Sequence, residues 1–532
     1  MSSALVFVMI PSLSLIYSGL GNRSFALTLF RLPMVTAAFV GLQWALWGYA
    51  VTFTDAALPS NWWGGESRAA GLKDVLGRPV GTGDGPGGPL IPELVYALYE
   101  GMFASFTAAL VCGGTMHRAR PRRFIVFITL WSLLVYDPVA RWSWSSKGWS
   151  KQVLGTLDFA GGTPVHVVSG TTVAAFAVFC SIEARGSLYV FSVDAVKRVG
   201  RRIKHFWHGV WTVLRTAVLL CTCGRVDMPK APTPRPPASN QKSFPYNVNY
   251  VVLGTALLWF GWAGFNGGSA LAANLRAVSA WASTHVAACA GGVTGMLWVW
   301  LMKQFPDAEV AEGAEPPDEA ERSRAQASQA FDRLSVCFFC DGAISGLVAI
   351  TPAAGYVPVW SAAVFGIVGA LFVNILKKET ELFLRHDPLQ VFAVHAGGGA
   401  IGMALTGLLA DVQLADVFAG MGYTFFMTLG ILYLMKLVVY LCGASPWSHT
   451  AVYDDENRLE DEFQATIQQQ WGGDLDAEGR PLIRLVPPPE PGQPHLEGPP
   501  QPNLEMDALM PQGLPLSPPR SATPGSQVAP HV

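Results

Sequence analysis

Charged side chains are scarce in this chain of 532 residues. Lys, Arg, Asp and Glu make up 14% of the sequence, compared with about a quarter in an ordinary soluble domain. Hydrophobic residues make up 51%, the mean hydropathy is +0.32 and there are 18 tryptophans. A formal net charge of −2 gives no indication of a nucleic-acid partner, so the positions of the charges carry the information. This composition predicts a polytopic membrane protein.

Motifs typical of metal sites and disulfide scaffolds are also missing. The eight cysteines lie mostly in apolar segments, where we expect small buried side chains and no disulfide framework. Cys337 and Cys340 form a CxxC at the start of an apolar run, where we expect neither metal nor redox chemistry. An intramembrane metalloenzyme is a remote alternative, because the sequence has no HExxH and no third ligand in an apolar span. We therefore expect no metal, no cofactor and no enzymatic activity.

Apolar runs of about 20 residues, each enough for one helical crossing, recur along the chain. They predict eleven spans, at about 3–20, 32–53, 92–116, 124–142, 158–183, 248–268, 279–302, 336–351, 359–376, 389–410 and 416–441. No basic residue precedes the first run, so we interpret it as a retained span and not as a cleaved signal. The expected fold is all-α.

Basic residues cluster in alternate connections, which predicts the orientation of the spans. The basic connections carry Arg23 and Arg31, four arginines between 118 and 123, the strongly basic region 185–242, and Lys377, Lys378 and Arg385. Cytoplasmic loops are enriched in Lys and Arg. We therefore expect an outward amino terminus and a cytoplasmic carboxyl terminus.

Four regions between or after the spans have compositions unlike a membrane core. The Gly- and Pro-rich stretch 55–91 predicts an irregular external loop, and about 184–247 and 303–335 predict cytoplasmic insertions in a membrane domain at 1–453. The first insertion is either a basic amphipathic segment on the anionic inner leaflet or a mis-predicted exon without ordered structure. The Pro-rich tail 454–532 is expected to be disordered.

Two histidines stand at matched positions inside apolar spans. His166 follows Asp158 by the same interval that separates His395 from Asp387, and each histidine is preceded by Val. An ionisable side chain within a membrane is costly and is a functional candidate by default. Matched halves predict one shared site near the bilayer midplane of an internally repeated transporter. The alternative is a pair of core histidines whose ring nitrogens bond to backbone carbonyls.

These histidine segments, together with GWAGFNGGSALAAN at 261–274 and GAISGLVAITPAAG at 342–355, resemble the ammonium transporter, methylammonium permease and Rhesus family. The likeness covers about residues 3–442, and LDFAGGTPVH is most similar to the fungal branch. It implies eleven helices with inverted five-helix repeats around a pore in each subunit of a homotrimer. It further implies conduction of ammonium or ammonia, with methylammonium as an analogue, in a lipid membrane, which we expect to be the plasma membrane of the cell.

The resemblance also implies roles for particular residues. His166 and His395 correspond to the twin histidines of the pore, and Trp144 and Ser269 to residues that recruit ammonium. Asp158 is expected to cap its helix and to favour cations without touching the substrate. Phe265 corresponds to one of two stacked gate aromatics, and Tyr99 is the expected second one. Trp144 taken alone also fits an interfacial tryptophan belt.

A dry pore with neutral imidazoles agrees with this function. Ammonium and potassium are similar in size and charge, and a narrow apolar path rejects both bare ions through the cost of dehydration. Ammonium alone can shed a proton and continue as ammonia, while two adjacent imidazoles hold the proton. An ammonium sensor or a Rhesus-like gas channel of the same fold is the alternative within the family.

The sequence departs from the family pattern at three places. Glu100 stands where relatives usually carry an amide, and a carboxylate there is expected to strengthen cation attraction or to shift the pH dependence. Pro164 lies two residues before His166, so we expect a kink at the site. The segment after Leu441 lacks the family's glycine-rich, acidic tail pattern, which puts tail-based gating in doubt.

Overall fold

The structure, a computed structural model, describes residues 1–21, 23–55, 61–81, 90–115, 119, 121–185, 245–304, 336–380, 384, 387–410 and 415–441. The predicted carboxyl-terminal tail and nearly all of the two predicted cytoplasmic insertions lie outside these residues. The predictions for the tail and the insertions therefore remain predictions.

Long apolar helices make up the first half of the described chain. They are α1 (Ser2–Leu20), α2 (Arg23–Gln43, continued by a π-helical turn Trp44–Gly48 and by Tyr49–Phe53), α3 (Glu93–Thr115), α4 (Pro121–Trp131, a π-helical turn Ser132–Tyr136, and Asp137–Trp144) and α5 (a π-helical turn Gly162–Val167 followed by Val168–Arg185). A separate π-helical turn, Ser150–Leu154, lies between α4 and α5.

The second half repeats this organisation. Its helices are α6 (Val248–Gly268), α7 (Leu275–Gln304), α8 (Val336–Ile350), α9 (Ala362–Thr380, after a 3-10 turn Val359–Ser361), α10 (a π-helical turn Phe392–Gly397 followed by Gly398–Ala410) and α11 (Ala415–Leu441). Within the described ranges, each of the eleven predicted spans thus corresponds to one helical rod. Eight of the rods are long and apolar enough to cross a membrane by themselves. The predicted all-α membrane fold is confirmed.

The start of the second span differs from the prediction. Helix α2 begins at Arg23, whereas the apolar run predicts a start near 32. Arg31 lies on an exposed face of the helix, and a long basic side chain can reach polar surroundings while its stem covers apolar surface. The apolar run is therefore interrupted at Arg31, although the helix continues back to Arg23.

The described part of the loop 55–91, predicted to be external, is more regular than expected. Strands β1 (Pro79–Gly81) and β2 (Leu90–Pro92) pair antiparallel, with Val80 opposite Ile91, and a 3-10 turn runs through Ser67–Leu72. Arg68 forms an ion pair of 3.2 Å with the buried carboxylate of Glu93, to which the Tyr49 hydroxyl donates a hydrogen bond of 3.1 Å. These contacts fix the loop to the start of α3, so that Gly81 borders the cavity described below.

Helices α5 and α10 approach each other closely where the two histidines lie. A Cβ atom added at Gly399 would lie 2.7 Å from the carbonyl oxygen of Gly162 and 3.0 Å from Cβ of His166. Such distances leave no room for a side chain. Glycine at this position therefore allows α5 and α10 to approach closely enough for His166 and His395 to come into contact.

Candidate functional site: an aromatic column above paired histidines

His166 and His395 lie side by side in the buried interior. Their Nδ1 atoms are 3.2 Å apart, their ring centroids are 5.3 Å apart and the ring planes differ by 17°. His166 is completely buried and His395 is 5% exposed. The structure thus brings together the two residues that the matched spacing singles out.

The contact between the two Nδ1 atoms restricts the protonation of the pair. A hydrogen bond between them requires a proton on one Nδ1 and a lone pair on the other, and in two neutral rings the Nε2 atoms then have opposite roles. The buried Nε2 of His166 has no hydrogen-bond partner among the described residues. The rings bond to each other and not to backbone carbonyls, which argues against the core-histidine alternative.

Each histidine follows a helix start that is held by its own aspartate. Asp158 accepts hydrogen bonds from the backbone N–H groups of Gly161, Gly162 and Thr163 at 2.7–2.8 Å. Asp387 accepts two such bonds, from Val391 at 3.0 Å and Phe392 at 2.9 Å. The carboxylates satisfy donors that a helix start leaves unpaired. The capping role expected for Asp158 is present in both repeats.

Asp387, which precedes α10, is itself buried. Burial raises the pKa of this carboxyl to about 6, although the backbone hydrogen bonds and the nearby Lys377 act in the opposite direction. Lys377 forms an ion pair with Asp341 of α8. Charged groups therefore surround the start of the second histidine helix.

Both histidines lie within π-helical turns, and the first of these turns includes Pro164, at which the sequence predicts a kink. The turn Gly162–Val167 contains both Pro164 and His166, and the turn Phe392–Gly397 contains His395. Only the first of these turns has a proline, so proline is not the shared cause. A π-helical turn widens the helix locally and changes the direction of its side chains.

Aromatic rings continue the column above His166. The His166 ring stacks on Trp262 at 5.5 Å between centroids and 14° between planes, and lies 6.2 Å from the ring of Phe265. Trp262 is held in place by a hydrogen bond of 3.0 Å from its indole N–H to the Thr351 hydroxyl. Trp262 is not predicted as a site residue from the sequence, although it stands in the same GWAGFN motif as Phe265.

The ring stacked on Phe265 belongs to Phe103. Their centroids are 4.1 Å apart with 28° between planes. Tyr99, the residue expected in this role, lies one helical turn earlier, contacts Phe103 edge-on at 4.9 Å and places its hydroxyl 2.6 Å from the carbonyl oxygen of Phe265. Tyr99 therefore supports the stacked pair but does not form it. The segment YALYEGMFASF contains four aromatic residues, and the sequence does not show which of them stacks on Phe265.

A cavity of about 70 Å³ lies beyond the Phe103–Phe265 pair, and we call it the Trp144 cavity. The three residues expected to recruit ammonium, Trp144, Ser269 and Asp158, all border it. The Trp144 indole N–H donates to the carbonyl oxygen of Asp158 at 3.0 Å, and its ring meets Phe103 edge-on at 5.7 Å. These internal contacts favour a role of Trp144 in the cavity over a place in an interfacial tryptophan belt.

Several residues of the Trp144 cavity were not singled out from the sequence. Arg276 donates from Nε to the carbonyl oxygen of Gly355 at 3.0 Å, and its guanidinium lies 4.9 Å from the ring centroid of Tyr356 and 5.5 Å from that of Phe159. Lys151 also lines the cavity, together with Glu100, which the sequence does single out. The cavity thus combines aromatic faces with charges of both signs.

The described part of the chain offers no cluster of three His, Cys, Asp or Glu side chains able to hold a metal ion. None of the five cysteines in this part of the chain, which include Cys337 and Cys340, is in a disulfide bond. The contact between the two Nδ1 atoms supports hydrogen bonding and proton exchange by the histidine pair.

Comparison with known proteins gives matches along most of the chain. The family model described as the Ammonium Transporter Family matches residues 1–192, 228–314 and 325–445. Ammonium transporter 1 of Schizosaccharomyces pombe is 33% identical over 463 residues, which cover 82% of this chain and 75% of that protein. Ammonium transporter MEP2 of Saccharomyces cerevisiae is 33% identical over 409 residues, which cover 77% of this chain and 65% of that protein.

Among solved structures, the crystal structure of Saccharomyces cerevisiae Mep2 is similar to this fold. It aligns with a TM-score of 0.61 and 30% identity, and the alignment covers 83% of this chain and 84% of that chain.

Proposed function

Because the chain belongs to the ammonium transporter family, we propose that it carries ammonium through the column from the Trp144 cavity to the paired histidines. Membership confirms the family that the histidine segments indicate, and it is a family of transporters and not of enzymes. The observation that carries the proposal is the contact of 3.2 Å between two buried imidazoles from matched half-repeats.

Recruitment takes place in the Trp144 cavity. The faces of aromatic rings attract cations, and the Ser269 hydroxyl offers an acceptor oxygen in the same cavity. Both carboxylate oxygens of Asp158 accept hydrogen bonds from backbone N–H groups. Asp158 therefore contributes negative charge to the cavity while its main structural role is to hold the helix start.

Selection depends on the apolar surroundings beyond the cavity. Phe103, Phe265 and Trp262 are almost completely buried and supply no strong acceptor for a bare cation. Potassium cannot recover its lost hydration there. Ammonium can release a proton, and neutral ammonia then passes along the histidines, whose shared hydrogen bond provides a relay for that proton.

The stacked pair Phe103 and Phe265 closes the direct route between the Trp144 cavity and His166. At a centroid distance of 4.1 Å the two rings are in van der Waals contact. Passage therefore requires a rotation of at least one ring. Side-chain rotations of this kind are fast compared with transport by most carriers.

We further infer a homotrimer at the plasma membrane, with one pore in each subunit, the Trp144 cavity facing outward and the amino terminus outside the cell. These inferences rest on the family and on the distribution of Lys and Arg along the sequence. With this orientation, ammonium enters from outside through the Trp144 cavity. Net transport is then uptake into the cytoplasm when ammonium is scarcer inside the cell than outside.

Expression in a cell that lacks ammonium uptake tests the function. The full chain should restore growth on scarce ammonium, and purified protein in liposomes should give an ammonium-dependent current or pH change. The His166→Leu variant, brought to the same amount at the surface, serves as the inactive control. Absence of transport by the wild-type chain in both assays would refute the proposal.

A further inference from the structure

Glu100 is a buried carboxylate with an unfilled hydrogen-bonding capacity. It lies on α3, one turn before Phe103, and borders the Trp144 cavity. Its side chain is 7% exposed, and its Oε2 atom is buried without a hydrogen-bond partner among the described residues. A buried carboxylate oxygen that lacks a partner is costly, so such a group normally binds a proton or a cation.

Neighbouring groups do not supply the missing partner. Arg276 is engaged with the Gly355 carbonyl and lies over two aromatic rings. Ion pairs among the described residues include those of Arg68 with Glu66 and Glu93, of Lys147 with Asp55, and of Lys377 with Asp341, and Glu100 takes part in none of these. Lys151 lines the same cavity but lies beyond ion-pair distance of Glu100.

The other carboxylate of the Trp144 cavity, Asp158, already has hydrogen-bond partners for both of its oxygens. Asp158 accepts three backbone hydrogen bonds through its two oxygens, whereas Glu100 retains a free oxygen. The hydroxyl of Tyr99, the residue before Glu100, is engaged with the carbonyl of Phe265. Of the two acidic residues in the cavity, Glu100 is therefore the one that has coordination to offer.

We propose that Glu100 is a direct ligand of the transported cation in the Trp144 cavity and sets the affinity for it. This inference rests on the proposed function. An ammonium ion has four N–H donors and no acceptor, and a charge-assisted hydrogen bond to a carboxylate is about twice as strong as a neutral one. Glu100 would bind one face of the ion while the rings of Phe103 and Trp144 contact another.

The competing occupant is a proton, which would leave Glu100 neutral and without effect on cation affinity. Replacement by glutamine distinguishes the two, because the amide is nearly isosteric with a carboxyl group but carries no charge. If a proton occupies the site, Glu100→Gln leaves affinity unchanged. If a cation occupies it, the same replacement weakens affinity.

The test uses the purified full chain in liposomes, with uptake of methylammonium measured against concentration. We expect Glu100→Gln to raise the half-saturating concentration about tenfold while the maximal rate stays within about twofold. Asp74→Asn is the matched control, because Asp74 is an exposed carboxylate of the same external loop region outside the cavity. It should leave both parameters within about twofold of the wild type.

A second variant covers the case in which Glu100→Gln fails to fold. Glu100→Asp keeps the charge but withdraws it by one methylene, so we expect its half-saturating concentration to lie above that of the wild type by less than the tenfold expected for Glu100→Gln. Equal half-saturation in the wild type and whichever of these variants folds would overturn the proposal while leaving the transport function intact. A wild-type chain that transports nothing would instead overturn the proposed function.

The pH dependence gives an independent readout. Acidification protonates Glu100 and should raise the half-saturating concentration of the wild type, and this component should be absent from Glu100→Gln. The charged groups around Glu100 are Asp158, Lys151 and Arg276 of the cavity, and phenols surround it at Tyr49, Tyr96, Tyr99 and Tyr136. These groups are common to both proteins, so the difference between the two profiles isolates Glu100. Identical profiles would contradict a charged Glu100.

Discussion

The segments Asp158–His166 and Asp387–His395 follow one backbone plan but have different surroundings. In both, an aspartate caps the helix, the third residue after it has a positive φ, and the histidine lies in a π-helical turn. The first segment borders an aromatic cavity, whereas the second lies beside Lys377. The repeat thus supplies the geometry of the pair, and residues outside the repeat give the proposed pore two unlike ends.

The largest expected effect comes from breaking the pair itself. His166→Leu removes one of the two rings that share a proton, so ammonium current should fall about 100-fold or more, and His395→Leu should have a similar effect. The double variant should be hardly worse than either single one, because the two rings act as a unit. Current measurements on reconstituted protein give these values.

His285→Leu is the matched control for the leucine variants. His285 also lies in a membrane helix, α7, but is exposed on its surface and contacts Cys289. Its replacement should leave the current within about twofold of the wild type. A selective and undiminished ammonium current in His166→Leu would show that the paired histidines do not carry the mechanism.

Replacing His166 by a charged residue sharpens the same comparison. His166→Asp places a fixed negative charge in the apolar column, draws in water and offers small cations a hydrated path. We expect a potassium current that the wild type lacks. The ratio of potassium to ammonium conductance measures this change, and an unchanged ratio would contradict selection by dehydration.

The stacked pair Phe103 and Phe265 lies on the His166 side, so its removal should alter selectivity from that side. Phe103→Ala removes the ring stacked on Phe265 and admits water toward His166, so potassium leak should rise about tenfold or less. Tyr99→Phe retains the ring and removes only a hydroxyl, and should leave selectivity unchanged. A larger effect of Tyr99→Phe than of Phe103→Ala would reverse our assignment of the stacked pair.

Sequence predicts one part of this site well for a simple geometric reason. Equal Asp-to-His intervals in two repeats give both histidines the same place in their helices, and a buried ionisable group stands out in an apolar run. The choice between Tyr99 and Phe103 is different. Both lie on one face of α3, and only the position of α6 decides which ring meets Phe265.

Local geometry and long-range contacts account for the other differences. The π-helical turns have no signature in hydrophobic periodicity, because the apolar pattern around both histidines is continuous. The β1–β2 pair in the external loop is fixed by the contact of Arg68 with Glu93, 25 residues away. Composition alone indicates only a Gly- and Pro-rich loop.

The two capping aspartates should differ in their contribution to stability. Asp158→Ala leaves three buried N–H groups unpaired and should lower the free energy of unfolding by about 2–4 kcal/mol, whereas Asp387→Ala leaves two and should cost about 1–3 kcal/mol. Thermal unfolding in detergent measures the difference. Asn at either position retains one acceptor oxygen and should recover part of the loss. A greater loss in Asp387→Ala would contradict the count of capping bonds.

The smallest effect concerns the third residue after each aspartate, where the two segments differ in sequence. Gly161 has a φ of 108°, and Gln390 has a φ of 55°. A side chain in the left-handed region costs about 1–2 kcal/mol, while glycine loses more entropy on folding. Gln390→Gly should therefore raise the free energy of unfolding by at most about 1 kcal/mol.

Gly161→Ala should lower the free energy of unfolding by more than Gln390→Gly raises it, because the added Cβ would lie 2.6 Å from Val165 and 3.0 Å from the Trp144 ring. Transport should respond only to the change at Gly161, because its added methyl group displaces Trp144 from the cavity. Destabilisation by Gln390→Gly would mean that contacts of the Gln390 side chain outweigh the backbone strain, and that the second segment departs further from the first than their common backbone indicates.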